Sequence, residues 1–216
     1  MGQATRNIAN SFTTSGVITS SAVNNTTISG ITDLTLGGSL ILLSEATASA
    51  SSSISFTSGI DSTYDEYWFV LNNLHPANND VTFQFNGSID SGSNYNVTKT
   101  TTFFQAYHLE NDGGTGLSYI TGSDLAQSTS SQPIMRNINN TDADMSGSGI
   151  IKLYNPSSTT YVKHFVGMTN YYHIGGATAV GYFAGYFNTT SAINGIQFTA
   201  NSGNIDDGTI QMFGVK

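Results

Sequence analysis

The chain reads as all-β: an antiparallel two-sheet sandwich, jelly-roll-like, behind an extended N-terminal arm. Three observations predict this. Roughly ten short apolar runs recur along the chain, each closed by Gly, Asn, Asp, Ser or Pro. Several alternate strictly between apolar and polar residues, the two-residue period of a strand with one wet face. No stretch repeats its apolar residues at the spacing of an amphipathic helix.

The arm covers residues 1–38 and the sandwich residues 39–216. The arm holds one Arg, one Asp and a single aromatic residue, and its apolar residues stand isolated among Ser, Thr, Asn and Gly. Alone it buries too little apolar surface to offset its ordering entropy. It is either a disordered tail or an arm that orders when three copies wind together or when it crosses a partner's surface. In the second case Ile8, Phe12, Val17, Ile18, Val23, Ile28, Ile31 and Leu34 are the candidate partner contacts.

Strands begin at Leu40–Leu43, and the Ser, Ala and Thr segment ending at Phe56 gives a second. The stretch Tyr64–Leu74 is the most apolar of all and holds the only Trp. Trp68, Phe69, Val70 and Leu71 run without alternation, which predicts a central strand at least partly covered on both faces, with Trp68 in the core. The competing role for Trp68 is an aromatic platform for a sugar or base. His75-Pro76 and the following Asn residues end this strand. Val81, Phe83, Phe85, Gly87 and Ile89 then alternate with polar residues. Thr100–Leu109 carries aromatics on both faces, so one face can meet an interface. Residues 110–147 read as irregular, and so long an irregular stretch in a compact domain has a purpose.

The hairpin signal is strongest where Gly149–Tyr154 and Thr160–Met168 flank Asn155-Pro156-Ser157-Ser158. Aromatic segments follow at Tyr171-Tyr172 and Gly181–Phe187, where glycines between aromatics predict close approach of a neighbouring ring or backbone. Ile196 and Phe198 mark a further strand, and Thr209–Val215 closes the chain.

Charged residues make up 9% of the chain, and 28 Ser, 28 Thr and 21 Asn supply its polarity instead. The net charge of -8 repels a phosphate backbone, which excludes direct nucleic-acid binding. Without Cys there is neither a disulfide nor a thiolate metal site. Met1–Asn7 opens without the apolar core of a secretory signal, and no run is long enough to span a membrane, so no membrane partner is expected.

The chemistry-bearing residues are scattered. His75, His108, His164 and His173 fall in different elements without ligand spacing, and each reads as structural. Asn140, Asp142 and Asp144 imitate half a calcium loop, but Met145 stands where Gly is needed and Ile151 where the bidentate Glu belongs. Glu45, Glu66 and Glu110 are isolated, and Asp61, Asp112 and Asp207 sit in turns. No catalytic residue, metal ligand or cofactor follows from this. The candidate ligand aromatics are Tyr119, Tyr171, Tyr172, Tyr182 and Tyr186, although most such residues serve a core or an interface.

Four phrases carry a resemblance: SFTSGIDSTYDEYWFVLNNLHPA (55–77), FNGSIDSGSNYNVTKTTTFFQAYH (85–108), KLYNPSSTTYVKHFVG (152–167) and AGYFNTTSAINGIQFTANSGNIDDGTIQMFGVK (184–216). Together they resemble small virion surface proteins of tailed phages of aquatic bacteria. The resemblance implies a non-enzymatic, trimeric β-sandwich on the outside of the particle, assembled in the bacterial cytoplasm. The length favours a capsid decoration or cement protein, with the arm gripping the major capsid protein or another virion protein. The alternative is a short tail or head fibre that binds host surface glycans. A glycan depolymerase is the third.

Overall fold

The computed structural model describes residues 39–216. The arm and its eight candidate contacts, from Ile8 to Leu34, lie outside them. The described residues form twelve strands and no helix. In chain order these are β1 (Leu40–Thr47), β2 (Ser53–Phe56), β3 (Glu66–Pro76), β4 (Val81–Ser88), β5 (Lys99–Leu109) and β6 (Thr115–Tyr119). There follow β7 (Gln132–Ile138), β8 (Gly147–Tyr154), β9 (Lys163–His173), β10 (Ala177–Phe187), β11 (Gly195–Ala200) and β12 (Ile205–Val215).

Every pairing is antiparallel. One hydrogen-bonded path runs β1-β12-β3-β8-β9-β7-β4-β11-β2, and β10, β5 and β6 branch from β9 in that order. The path curls back, because Ser51, just before β2, bridges to Ile205 at the start of β12. The result is an all-β, nearly closed antiparallel sheet around one core. At its centre the Phe85 ring meets Phe165 edge-on at 5.1 Å between centroids, with Phe187 and Phe198 each at 6.2 Å.

The hairpin is present, β8 and β9 pairing from Leu153↔Phe165 to Gly147↔Tyr171 with Asn155 at a positive φ of 42°, but β9 begins at Lys163 and not at Thr160, so the connection runs through residues 155–162. The glycine reading also holds. A Cβ on Gly181 would come within 2.8 Å of the Phe103 ring, and one on Gly167 would collide with Phe183.

Two expectations need correction. Strand β3 is central, between β12 and β8, and covered on both faces but unequally: Tyr67, Phe69 and Leu71 are buried, whereas Trp68 and Val70 are only half-buried on the opposite face. Trp68 is therefore not a core residue; its run reads as continuous because both faces of the strand are apolar. Nor are residues 110–147 irregular throughout, since β6 and β7 lie within them. Pro133, Arg136 and Asn137 disguise β7, although Ile134, Met135 and Ile138 are fully buried.

Two lysines are also fully buried. Lys99 and Lys163 stand opposite Phe187 from either side in the register of β5, β10 and β9. Their ammonium groups donate to carbonyls only, Lys99 to Ser130 at 2.6 Å and Lys163 to Tyr161 and Thr189 at 2.9 and 3.1 Å. Burial disfavours the charge, pulling Lys99 from its ordinary 10.5 down to about 8 and lowering Lys163 as well. Between those values the unfolded chain holds a proton that the folded chain has released, so stability rises with pH. Burial of the Tyr171 hydroxyl acts in the opposite sense, raising it from 10 to about 12, so stability falls as pH climbs through that interval.

The unfolding free energy from urea titrations is thus expected to rise from about pH 8 to a maximum at about pH 10, gaining up to about 3 kcal/mol, and to fall above it, the midpoint moving with it. Lys99→Met should flatten the rise. A wild-type midpoint that stays level between those values would contradict the assignment.

Candidate assembly face

Eight strands, in the order β6-β5-β10-β9-β8-β3-β12-β1, present one outer face. Because side chains alternate across each strand, the register decides which residues meet there. One row crosses all eight strands: Tyr119, Phe104, Tyr182, Met168, Ile150, Val70, Gln211 and Glu45 are successive Cα partners. The adjacent row runs Thr102, Ala184, Val166, Lys152, Trp68, Phe213 and Leu42.

These rows are apolar where a solvated sheet would be polar. Of the exposed large hydrophobic side chains, Leu40, Leu42, Phe104, Leu117, Tyr119, Tyr154, Val166, Met168 and Tyr182 all belong to this face. Met168, in the middle of the first row, is 44% exposed, and Leu117 on β6 is 71% exposed. Charge is sparse and partly neutralised within the face. The Lys152 ammonium lies 3.9 Å from the centroid of the Trp68 ring, and the Trp68 Nε1–H donates to Glu66 on the same strand.

The five candidate tyrosines separate into distinct environments. Tyr182 stacks on Phe104 at 5.1 Å with an interplanar angle of 15°, and Tyr119 is Phe104's register partner on the other side. Tyr119 donates its hydroxyl to Asp124 at 2.6 Å, and that bond to a carboxylate raises its pKa. Tyr186 lies further along β10, edge-on to His164 at 5.9 Å. Tyr172 donates to Glu110 at 2.7 Å, which holds its pKa above the ordinary value. Tyr171 is different: its ring is 2% exposed, inside the core. The fold thus gathers Tyr119 and Tyr182, sets Tyr186 and Tyr172 at a distance from them, and turns Tyr171 away.

The other chemistry-bearing residues stay apart. His75 Nδ1 donates to the Met145 carbonyl at 2.6 Å, and His108 pairs with Asp112 at 3.0 Å. Asn140 donates to the Pro76 carbonyl, and Asp142 accepts from the Ala143 N–H. Among the described residues no three His, Asp or Glu side chains converge as a metal site. What sequence reasoning missed is Val166, Met168 and Leu117 as members of one surface. The signal was present in β5, where Phe103 and Phe104 had to face opposite ways, but only the register joins that strand to seven others.

Comparison with protein-family models, with curated proteins and with solved structures gave no match. The face can remove apolar surface from water against another macromolecular surface, and its exposed rings can cover the C–H face of a sugar.

As the only Trp, Trp68 reports on this face. Lys152→Ala should raise quenching of its fluorescence by acrylamide and cost about 0.5–1 kcal/mol in stability, the usual worth of an exposed cation–π pair. Unchanged quenching would mean that Lys152 does not cover the ring.

Proposed function

We propose that this protein is a structural component of a phage virion, a homotrimeric capsid decoration or cement protein on the outer particle surface. The apolar outer face carries this reading. Seven strand spacings by about four rows of side chains cover about 700 Å², close to the roughly 800 Å² that each partner contributes to a standard interface. Around a closed three-fold axis each copy would cover part of the next one's face. Residues 1–38 would attach the assembly to the major capsid protein or another virion protein. The phage-protein resemblance and the neutral, hydroxyl-rich composition support the same reading.

We read the fold as a two-sheet, jelly-roll-like sandwich. Two features support that finer description: β7 joins β9 through the single pair Ile138↔His173, and Phe85 of β4 packs across the core on Phe165 and Phe183. A second functional reading, a short tail or head fibre binding host surface glycans, is favoured by the exposed Tyr182–Phe104 stack beside Tyr119. Aromatic faces of this kind suit the C–H face of a sugar. Neither reading involves catalysis.

The wild type is expected to sediment as a trimer, and Met168→Asp with Tyr182→Asp should give a folded monomer. A wild-type monomer at every concentration would overturn self-assembly through this face.

Mass spectrometry of purified virions should give a copy number of the order of the major shell protein's, and deletion of residues 1–38 should abolish attachment. A ratio of a few copies per particle would favour the fibre. Full occupancy by the truncated chain would remove the arm from the attachment.

A further inference from the structure

Behind β5, on the side opposite the outer face, lies a cavity of about 270 Å³ lined by Gln105, Tyr107, Ser118, Ile120, Arg136 and His173, among others. Its walls follow from the register. Tyr107 is the partner of Gly116 on β6, and a Cβ on Gly116 would stand 2.6 Å from the Tyr107 ring, so glycine there lets the ring lie across β6. Arg136 enters from β7. It is the only arginine among the described residues of an acidic chain.

The polar groups at this cavity are chiefly donors. One Arg136 N–H, on Nη1, donates to the buried Gln105 Oε1 at 3.2 Å. A guanidinium has five N–H donors, so the rest of the fork remains available. Among the described residues Arg136 makes no ion pair, the sole such pair being His108–Asp112. His173 Nδ1 accepts the Gly175 N–H at 3.0 Å, which leaves its proton on Nε2. Burial and the nearby Arg136 charge hold this histidine below its ordinary pKa, outweighing Asp80, so it is neutral at pH 7. Ser118 and Tyr107 add hydroxyls.

A charged fork in a half-enclosed, partly apolar cavity suits a carboxylate, which takes two parallel hydrogen bonds from it. The cavity is slightly smaller than the roughly 300–1,000 Å³ of drug-sized pockets, which points to one small ring. The flat Tyr107 ring offers that ring an apolar wall. We propose that this cavity binds a uronic acid, the Arg136 guanidinium holding its carboxylate and the Tyr107 ring covering its C–H face. The site does not depend on the assembly reading, because it stands on the inward side of β5 and its test needs no oligomer.

Isothermal titration of the full chain with methyl glucuronide, methyl glucoside, sodium acetate and a short peptide with a free C-terminus tests it. The glucuronide should bind about tenfold or more tightly than each of the others, and Arg136→Gln should weaken it about tenfold or more while Arg136→Lys weakens it less. Amide resonances of Gln105, Ser118 and Ile120 should shift on binding. Should Arg136→Gln fail to fold, Tyr107→Ala, which leaves the guanidinium in place, should also weaken the glucuronide and leave acetate unchanged. Equal binding of glucuronide and glucoside would overturn the carboxylate contact. Equal binding of glucuronide, acetate and peptide would overturn the sugar assignment, and glucuronide binding untouched by these substitutions would overturn the location.

Discussion

Phenylalanine rings lying over glycines are the constraint on which this fold depends. Phe183 is the register partner of Gly167, and its ring fills the space a Cβ there would need. Phe187 covers Gly87 within 2.9 Å of where a Cβ would be, and Phe103 covers Gly181 within 2.8 Å. Each pairing fills with a ring the volume that a glycine leaves empty, offsetting the weakness of glycine within a strand. The rings then meet one another: Phe103 and Phe183 stack at 6.2 Å with their planes 4° apart. Aromatic pairs of this kind add about 0.5–1.5 kcal/mol beyond their buried area. A methyl group at any of these glycines would push a ring out of its place in the core.

A core filled in this way places side chains in the interior, and openings lie on the outer face and at the strand ends. Among the described residues the buried side-chain polar groups are paired, the one exception being the Tyr171 hydroxyl. Gln132, fully buried, accepts from the Thr101 hydroxyl and donates to the carbonyls of Ser123 and Pro133 at 3.0 and 2.9 Å. Thr169 donates to the Ile134 carbonyl. The Gln132 bonds fasten the segment between β6 and β7 to the start of β7 and β7 to β5, and the Thr169 bond ties β9 to β7. Leaving any of these groups unpaired would cost about 1–3 kcal/mol, so the segment is ordered by polar satisfaction more than by hydrophobic burial.

That difference explains what was legible in the sequence. Elements whose burial is apolar and whose turns are marked could be read: Val81–Phe85, the β8–β9 hairpin, Ile196–Phe198 and the final strand. The segment between β6 and β7, held by hydroxyl and amide groups, could not, because Ser123 or Gln132 looks the same in sequence whether it is in the core or in water. The two-faced stretch from Tyr67 to Leu71 shows a subtler failure. Its unbroken apolar run reads as a strand with cover on both faces and Trp68 in the core, whereas one side is core and the other, half-covered side is the outer face. The misreading and the candidate assembly face share one cause, an apolar residue at nearly every position. The five tyrosines could be found by type, but whether a tyrosine joins Phe104 or the core is fixed by strand register, which pairs residues far apart in the chain.

Register also ties the outer face to the Arg136 cavity. Along β5, Phe104 and Ala106 point to the outer face, whereas Gln105 and Tyr107 line the cavity behind it. The same holds for β6, where Tyr119 and Leu117 face outward and Ser118 faces in. Strand β6 pairs only with β5, which makes it the edge of its branch and the least anchored wall of the cavity. A neighbouring copy seated on Tyr119 and Leu117 would clamp β6 from outside and so hold Ser118 and the Gly116 platform under Tyr107 in place. Alternation along two strands is therefore enough to set an apolar face and the Arg136 cavity back to back on the same stretch of sheet.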